Sequence, residues 1–185
     1  MHEMLTSIDS DLLVNAFPST VREQAIPAAE YASRQLGSVQ WTDRFEVRMG
    51  GEALLIPARL RFSNNHDDEQ ISGDIWLMAR ALRTRSSDGF ERQRAVRDLL
   101  ADVRPWCAPF IVALLGEYLV EILDDIALAF GDSVPDPVAD LLRDNPTYWF
   151  LTKQRVASYW NVYYRTTCGA DYVGFKLVSQ IDAAI

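Results

Sequence analysis

One stretch near the middle of the chain is hydrophobic at every position. It covers residues 106–115, and a helix that is apolar on all sides is typical of one surrounded by protein. The hydrophobic character continues to Gly131, with acidic residues spaced to form one stripe of the same helix at Glu117, Glu121, Asp124 and Asp125. The pattern therefore predicts a central helix over residues 104–131 whose first half is buried.

The hydrophobic period shortens to two residues between positions 44 and 62. Hydrophobic and charged residues alternate over positions 45–49 and again over 54–62, on either side of the pair Gly50-Gly51. This alternation around a glycine turn predicts a β-hairpin near residues 44–62, which must pack one face on the helices because a lone hairpin is marginal in water. Pro57 has no amide hydrogen, so its strand is predicted to lie at an edge or to carry a bulge.

The remaining hydrophobic positions follow a helical period. Helices are predicted at residues 8–17, 27–36, 71–85, 90–103, 136–144, 147–165 and 172–183, with a loop at 63–69. Pro27 either opens a new helix or kinks a longer one. Asp88 is predicted to cap the helix at 90–103, with Glu91 as its reciprocal partner. Together these elements predict a mainly α fold, a compact domain of about seven helices around the buried central helix with one β-hairpin, and residues 1–185 as a single domain.

Composition and charge narrow the class of protein. The chain has 185 residues and a formal net charge of −8, which argues against a nucleic acid or an anionic membrane as its partner. Its first residues lack the basic start and apolar run of a secretory signal, and the acids at 117–125 argue against a membrane span. Cys107 and Cys168 lie far apart, as is typical of reduced thiols. We therefore expect a soluble, cytoplasmic protein.

Arginine supplies sixteen of the eighteen basic residues, and it suits forked pairing with carboxylates better than lysine does. Seven arginines fall within residues 80–104, where only four acids accompany them. This basic stripe is a candidate for weak phosphate or RNA binding. The alternative is that its arginines pair with the acidic residues of region 117–144 in the same chain. Its candidate residues are Arg83, Arg85, Arg92, Arg94 and Arg97.

The carboxylates at 117, 121 and 124 form a second candidate. Clustered carboxylates in an apolar setting can hold a metal or exchange protons, but they can equally pair with arginines of neighbouring helices. The only histidines are His2 and His66, which is too few for a three-histidine zinc site, and none of the glycine-rich phosphate-binding or nucleophile motifs occurs. We therefore expect no metal and no cofactor, and we lean against catalytic activity.

The third candidate is the helix predicted at 147–165. Tyr159 and Tyr163 fall on one stripe of it, Trp160 and Tyr164 fall on the adjacent stripe, and Arg155 and Arg165 lie within reach. Tyrosine, tryptophan and arginine dominate binding hot spots, although the same rings can also form core. Both roles are compatible if one stripe faces inward and the other outward.

These observations favour a soluble helical module that binds a protein partner or itself and has no catalytic activity. The first alternative is an enzyme or small-ligand binder with a pocket formed by Glu117, Glu121, Arg155 and Tyr159 beside the central helix. The second alternative is weak phosphate or RNA binding through the basic stripe.

Overall fold

The computed structural model describes residues 10–40, 42–63 and 70–185. Within these ranges the chain forms nine α-helices and one two-stranded antiparallel sheet, which confirms the prediction of a mainly α fold with one β-hairpin. The contacts divide the chain into two units, Met1–Leu99 and Leu100–Ile185. The single domain over residues 1–185 stays a prediction. Most of the predicted loop at 63–69, with His66, lies outside the described residues, as does His2.

Among its described residues, the first unit combines four α-helices with the hairpin. Its elements are α1 (Ser10–Val14), α2 (Arg22–Arg34), β1 (Arg44–Met49), β2 (Glu52–Pro57), α3 (Gly73–Arg83) and α4 (Gly89–Leu100). Pro27 lies inside α2, which continues through it as one helix. Asp88 caps α4 as predicted, because its Oδ1 accepts the amide hydrogen of Phe90 at 2.8 Å. The reciprocal half of the predicted cap is wrong, since the carboxylate of Glu91 binds Ser86 and Arg83 instead.

The hairpin turns at the two glycines that the sequence indicates. Gly50 and Gly51 both have positive φ, +59° and +84°, as a two-residue turn between twisted antiparallel strands requires. The pairing runs from Arg44 opposite Pro57 to Met49 opposite Glu52. On the free edge of β2, the amide of Leu55 donates to the carbonyl of Asn15 at 2.9 Å, which ties the hairpin to the end of α1.

The second strand ends earlier than residue 62. Because Pro57 cannot donate to the ladder, β2 stops there, and the chain continues with isolated bridges only, from Leu60 to Ser86 and from Phe62 to Leu36. The side chain of Arg85, almost fully buried, donates from Nε to the carbonyl of Pro57 and from Nη2 to that of Ala58. Arginine thus satisfies backbone groups that a longer strand would have paired.

The second unit is wholly helical within the described residues. Its helices are α5 (Ala108–Leu115), α6 (Val120–Phe130), α7 (Asp136–Asp144), α8 (Pro146–Tyr159) and α9 (Val173–Ala184). Every residue of α5 is buried, as predicted for the first half of the central helix. The carboxylate of Asp182 on α9 accepts hydrogen bonds from Trp149 Nε1 at 2.7 Å and from Lys153 Nζ at 3.0 Å, which fastens α9 to α8.

The predicted helix over residues 104–131 is in fact two helices, which adds one to the predicted number. A β-carbon on Gly116 would lie 3.2–3.3 Å from the side chain of Arg155, so the chain passes close to α8 where α5 ends. The amide of Val120, which would point to Gly116 in a continuous helix, donates to the hydroxyl of Tyr164 instead. Arg155 of α8 thus packs on the interrupted turn, and Tyr164, five residues beyond α8, replaces the internal hydrogen-bond partner of Val120.

No helix in the described ranges has both the length and the apolar character needed to cross a bilayer.

Candidate interaction surface

The helix that carries most of the candidate residues changes its winding near its end. After α8, residues Trp160–Tyr164 form a π-helix, and the amide of Arg165 donates to the carbonyl of Trp160 five residues earlier, at 2.8 Å. The predicted helix at 147–165 is therefore present, with a wider last turn. Such turns are rare and are often found at functional sites.

Three tyrosines meet on the outer side of this helix. The ring centroids of Tyr118, Tyr159 and Tyr163 lie 6.1, 6.1 and 6.2 Å apart, so each ring contacts the other two. Tyr163 is 55% exposed and Tyr118 is 43% exposed. We call these three residues the tyrosine triad. It is an aromatic cluster that the protein leaves open to solvent instead of burying.

Two further side chains extend the triad along α8. Leu151 and Arg155 precede Tyr159 at intervals of four residues, so these three lie in one row on α8. Tyr163 of the π-helix continues the row because its ring stacks on that of Tyr159. We call these four residues the α8 stripe. Leu151 is exposed, and the aliphatic part of Arg155 covers Gly116. Val162, also exposed, borders the stripe. The surface therefore combines aliphatic, cationic and aromatic groups.

The neighbouring stripe of the same helix packs inward. Trp160 stacks at an angle on Phe175, with centroids 5.2 Å apart, and its Nε1 donates to the carbonyl of Gly169 at 2.7 Å. Tyr164 lies parallel to Tyr172 at 5.2 Å, and Tyr172 is fully buried. These contacts fix the rotation of the helix, which holds the tyrosine triad outward.

The inner tyrosines also differ electrostatically from tyrosines in water. Burial raises the pKa of Tyr172 to about 12, with a smaller contribution from Tyr164. Burial likewise raises the pKa of Tyr164, although its hydrogen bond from Val120 acts in the opposite direction. Desolvation penalises the phenolate, so both rings stay neutral at physiological pH.

The acidic candidates do not form the continuous stripe that the sequence predicts. Glu117 is only 2% exposed and lies in the connection between α5 and α6, whereas Glu121 is exposed in the first turn of α6. Arg155 and Tyr159 approach this connection at Gly116 and Tyr118, on either side of Glu117. Among the residues that the structure describes, no three His, Cys, Asp or Glu side chains are grouped so that they could hold a metal ion.

Arg165 and the basic stripe occupy different environments. Arg165 is exposed, and its Nη1 donates to Asn161 Oδ1 at 3.3 Å.

Arg92 is buried and donates to the carbonyls of Ser86 and Ser87. Arg85 is also buried, next to the end of the hairpin, and Arg83 on α3 is half-buried. Of the five arginines in the predicted basic stripe, Arg94 and Arg97 on α4 are the two that are exposed.

The sequence reasoning missed two members of the surface. Tyr118 lies 41 residues from Tyr159 in the chain, and nothing in the local pattern connects them. Leu151 could have been predicted from the sequence, because it continues the four-residue spacing of Arg155 and Tyr159 toward the start of the helix.

No family model, no curated protein sequence and no solved structure matches this chain.

Proposed function

We propose that this protein acts by binding a protein partner, and that the contact surface is the α8 stripe together with Tyr118. The observation that carries the proposal is the tyrosine triad, in which three rings contact one another while two of them stay about half exposed. Single exposed hydrophobic residues are common on protein surfaces and need no explanation. A contiguous aromatic cluster beside an arginine is the composition found at the centre of protein interfaces.

The mutual contacts of the triad favour binding for a second reason. Side chains that are ordered only on association reduce affinity, because their lost rotamer freedom opposes complex formation. Tyr159 and Tyr163 are stacked at 25° to each other, and Tyr118 leans on both, so the rings are already restrained in the free protein. A partner therefore meets a rigid aromatic surface whose hydroxyl groups can still donate and accept hydrogen bonds.

A photo-crosslinking amino acid at position 163 tests this proposal. Phe150 offers a matched control site, since it lies on the same helix at a different angle and is 56% exposed, against 55% for Tyr163. We expect a crosslinked product of defined mass from position 163, lost when Leu151→Asp is added, and no such product from position 150. Equal products from both positions, or none from position 163, would contradict the proposal.

A second candidate function, anion binding, rests on an imbalance of charge between α3 and α4. Arg80 Nε lies 2.5 Å from Asp98 Oδ2, and Arg83 pairs with Glu91. Arg94 lies between those two acids on α4, is exposed, and forms no ion pair within the part of the chain that the structure describes. Burial lowers the pKa of Arg83, and the positive charges of Arg80 and Arg94 lower it further. Among the described residues, Arg94 thus adds a positive charge close enough to act on Arg83 beside two arginine–carboxylate pairs, and a phosphate group could balance that charge.

Titration with inorganic phosphate, followed by NMR of arginine side-chain signals, tests the second candidate. We expect saturable shifts of Arg80 and Arg94 that weaken as salt is raised, and that disappear in Arg94→Ala. Arg143→Ala is the control, because Arg143 already binds Asp140 and the carbonyl of Ala184. Shifts that do not saturate, or that persist in Arg94→Ala, would exclude this site.

A further inference from the structure

We propose that the tyrosine triad is a site of oxidative modification, at which a one-electron oxidant joins Tyr118 to Tyr163 as dityrosine within one chain. The proposal goes beyond partner binding, since it needs no second protein. It follows from the contacts between the three rings, from their exposure to solvent and from the different surroundings of the inner tyrosines, Tyr164 and Tyr172.

The rings of the triad are close enough to react with one another. Ring centroids 6.1 Å apart, as between Tyr118 and Tyr163, place carbons of the two rings near van der Waals contact, at about 3.5–4 Å. At so short a distance each ring is present to the other at an effective concentration of about millimolar or more. In micromolar protein, coupling within a chain should therefore exceed coupling between chains by about a hundredfold or more.

The reaction takes one electron and one proton from each of two phenols. The unpaired electron of each radical is shared with the two Cε carbons beside the carbon that bears the oxygen, and one Cε of each ring forms the new C–C bond. The hydrogen on each bonded Cε then moves to the oxygen of its own ring, which restores both phenols. Two protons pass to water, and two electrons pass to the oxidant, for example to a haem peroxidase that reduces hydrogen peroxide to water.

Exposure to solvent decides which tyrosines can release the proton. Tyr118 and Tyr163 are about half exposed, so water can accept it. The hydroxyl of Tyr172 is buried without a hydrogen-bond partner among the described residues, and burial raises the pKa of Tyr172 to about 12. The hydroxyl of Tyr164 donates to the carbonyl of Tyr118, which is too weak a base to take the proton. The reaction is therefore confined to the triad, although Tyr164 and Tyr172 are stacked at 5.2 Å.

The angles between the rings select the pair. Tyr159 and Tyr163 are stacked at 25°, so their faces meet, whereas the new bond joins two rings at their edges. Tyr118 is tilted by 40° to Tyr163 and by 52° to Tyr159. It also lies in the connection between α5 and α6, where the backbone can adjust without moving a helix. Because Tyr163 is more exposed than Tyr159, the bond is expected between Tyr118 and Tyr163.

The bond would close a loop of the chain within the second unit. It joins the connection between α5 and α6 to the π-helix that follows α8. A link between two distant segments lowers the conformational entropy of the unfolded chain, as a disulfide does. The modified chain should therefore unfold at a higher urea concentration than the unmodified chain.

Brief illumination of the full chain with tris(bipyridine)ruthenium(II) and persulfate tests the proposal, because the ruthenium(III) complex so formed removes single electrons from tyrosine. We expect the blue fluorescence of dityrosine and a chain of monomeric size that has lost the mass of two hydrogen atoms. Mass spectrometry of the digest should find a cross-linked peptide pair joined through Tyr118 and Tyr163. The yield per chain should stay constant when the protein concentration is raised by about tenfold.

Phenylalanine variants identify the pair, because phenylalanine keeps the ring and lacks the phenol. Dityrosine should fall by about tenfold or more in Tyr118→Phe and in Tyr163→Phe. Tyr31→Phe is the control, since Tyr31 is a partly exposed tyrosine of α2 beside Arg34, and its loss should leave the yield unchanged. Circular dichroism checks that each variant is folded.

Three results would overturn the proposal: no dityrosine in the wild type, a product that persists in Tyr118→Phe, or a product found only in dimers whose yield grows with concentration. None of them bears on the proposed binding function, which is tested by a crosslink from position 163 to a different molecule.

Discussion

The hydroxyl of Tyr164 donates a hydrogen bond to the backbone carbonyl of Tyr118, a residue 46 positions earlier in the chain. The same oxygen accepts the amide hydrogen of Val120 at 3.3 Å. One side chain thus binds both sides of the point where α6 begins, and it replaces the side-chain cap that this helix lacks. The contact also positions Tyr118 beside Tyr159 and Tyr163, so it links the fold of the second unit to the candidate interaction surface.

Tyr164→Phe should lower the free energy of unfolding. The change removes the partner of one carbonyl and one amide at a half-buried position, for which we expect a cost of about 1 kcal/mol. Urea unfolding followed by circular dichroism measures it. Tyr163→Phe is the control, because its hydroxyl makes no hydrogen bond to the part of the chain that the structure describes, and it should cost less than about 0.5 kcal/mol. Equal midpoints for the two variants would show that Tyr164 does not cap α6.

Gly174→Ala should be destabilising although alanine is the better helix former. A β-carbon at this position would lie 2.5 Å from Cε1 of Tyr172 and 2.9 Å from Cγ1 of Val156. The gain in helix propensity is about 1 kcal/mol, whereas overpacking a core costs about 1–3 kcal/mol, so we expect a net loss measured by urea unfolding. Ser179→Ala, at an exposed position of the same helix, should change stability by less than about 0.5 kcal/mol. A more stable Gly174→Ala protein would refute the close packing of α9 on Tyr172.

Stability should fall at alkaline pH because of Tyr172. Its pKa in the folded chain is about 12, above the ordinary tyrosine value of about 10. Between these values the unfolded chain releases the proton first, so the contribution is complete below about pH 10 and is lost as the pH rises toward 12. Urea unfolding at several pH values should show a shallower decline for Tyr172→Phe. The phenol oxygen has no hydrogen-bond partner among the described residues, so this variant should keep its stability near neutral pH. Identical declines in both proteins would count against this account.

At acidic pH we expect the first unit to lose stability as Glu52 is protonated. Its carboxylate accepts hydrogen bonds from Ser19, at 2.6 Å from the hydroxyl and 2.8 Å from the amide, and these bonds lower the pKa of Glu52. The stabilisation is present above the ordinary glutamate pKa and is lost as the pH falls through the lowered value. Ser19→Ala removes the stronger bond, so NMR titration should show the pKa of Glu52 rising toward its ordinary value. Ser33→Ala, whose hydroxyl binds the carbonyl of Glu30, should leave that titration unchanged.

Much of the fold follows from local patterns in the sequence. The two glycines and the alternation around them predict the hairpin, because only glycine adopts both positive φ angles without strain. The apolar run at 106–115 predicts burial, and the positions of α7 and α9 differ from the predicted ranges by no more than one residue. In these cases the information lies within about ten residues of the chain.

The features that the sequence did not predict depend on distant residues. The interruption between α5 and α6 needs Arg155 over Gly116 and Tyr164 at Val120, and both partners lie more than 35 residues away. Without them, the apolar and acidic pattern of 104–131 is that of one helix. For the same reason the tyrosine triad could be predicted only in part, since the pattern shows Tyr159 and Tyr163 but not Tyr118.

The wider turn at Trp160–Tyr164 is a place where this helix could be shortened by one residue, in evolution or by mutagenesis. A π-turn holds one residue more than an α-turn, so deleting one residue from this turn would let it wind as a regular α-helix. The angle between the outward ring of Tyr163 and the inward rings of Trp160 and Tyr164 would then change. The extra residue therefore sets the angle between the outward and inward rows of rings, and the deletion of one residue would alter it.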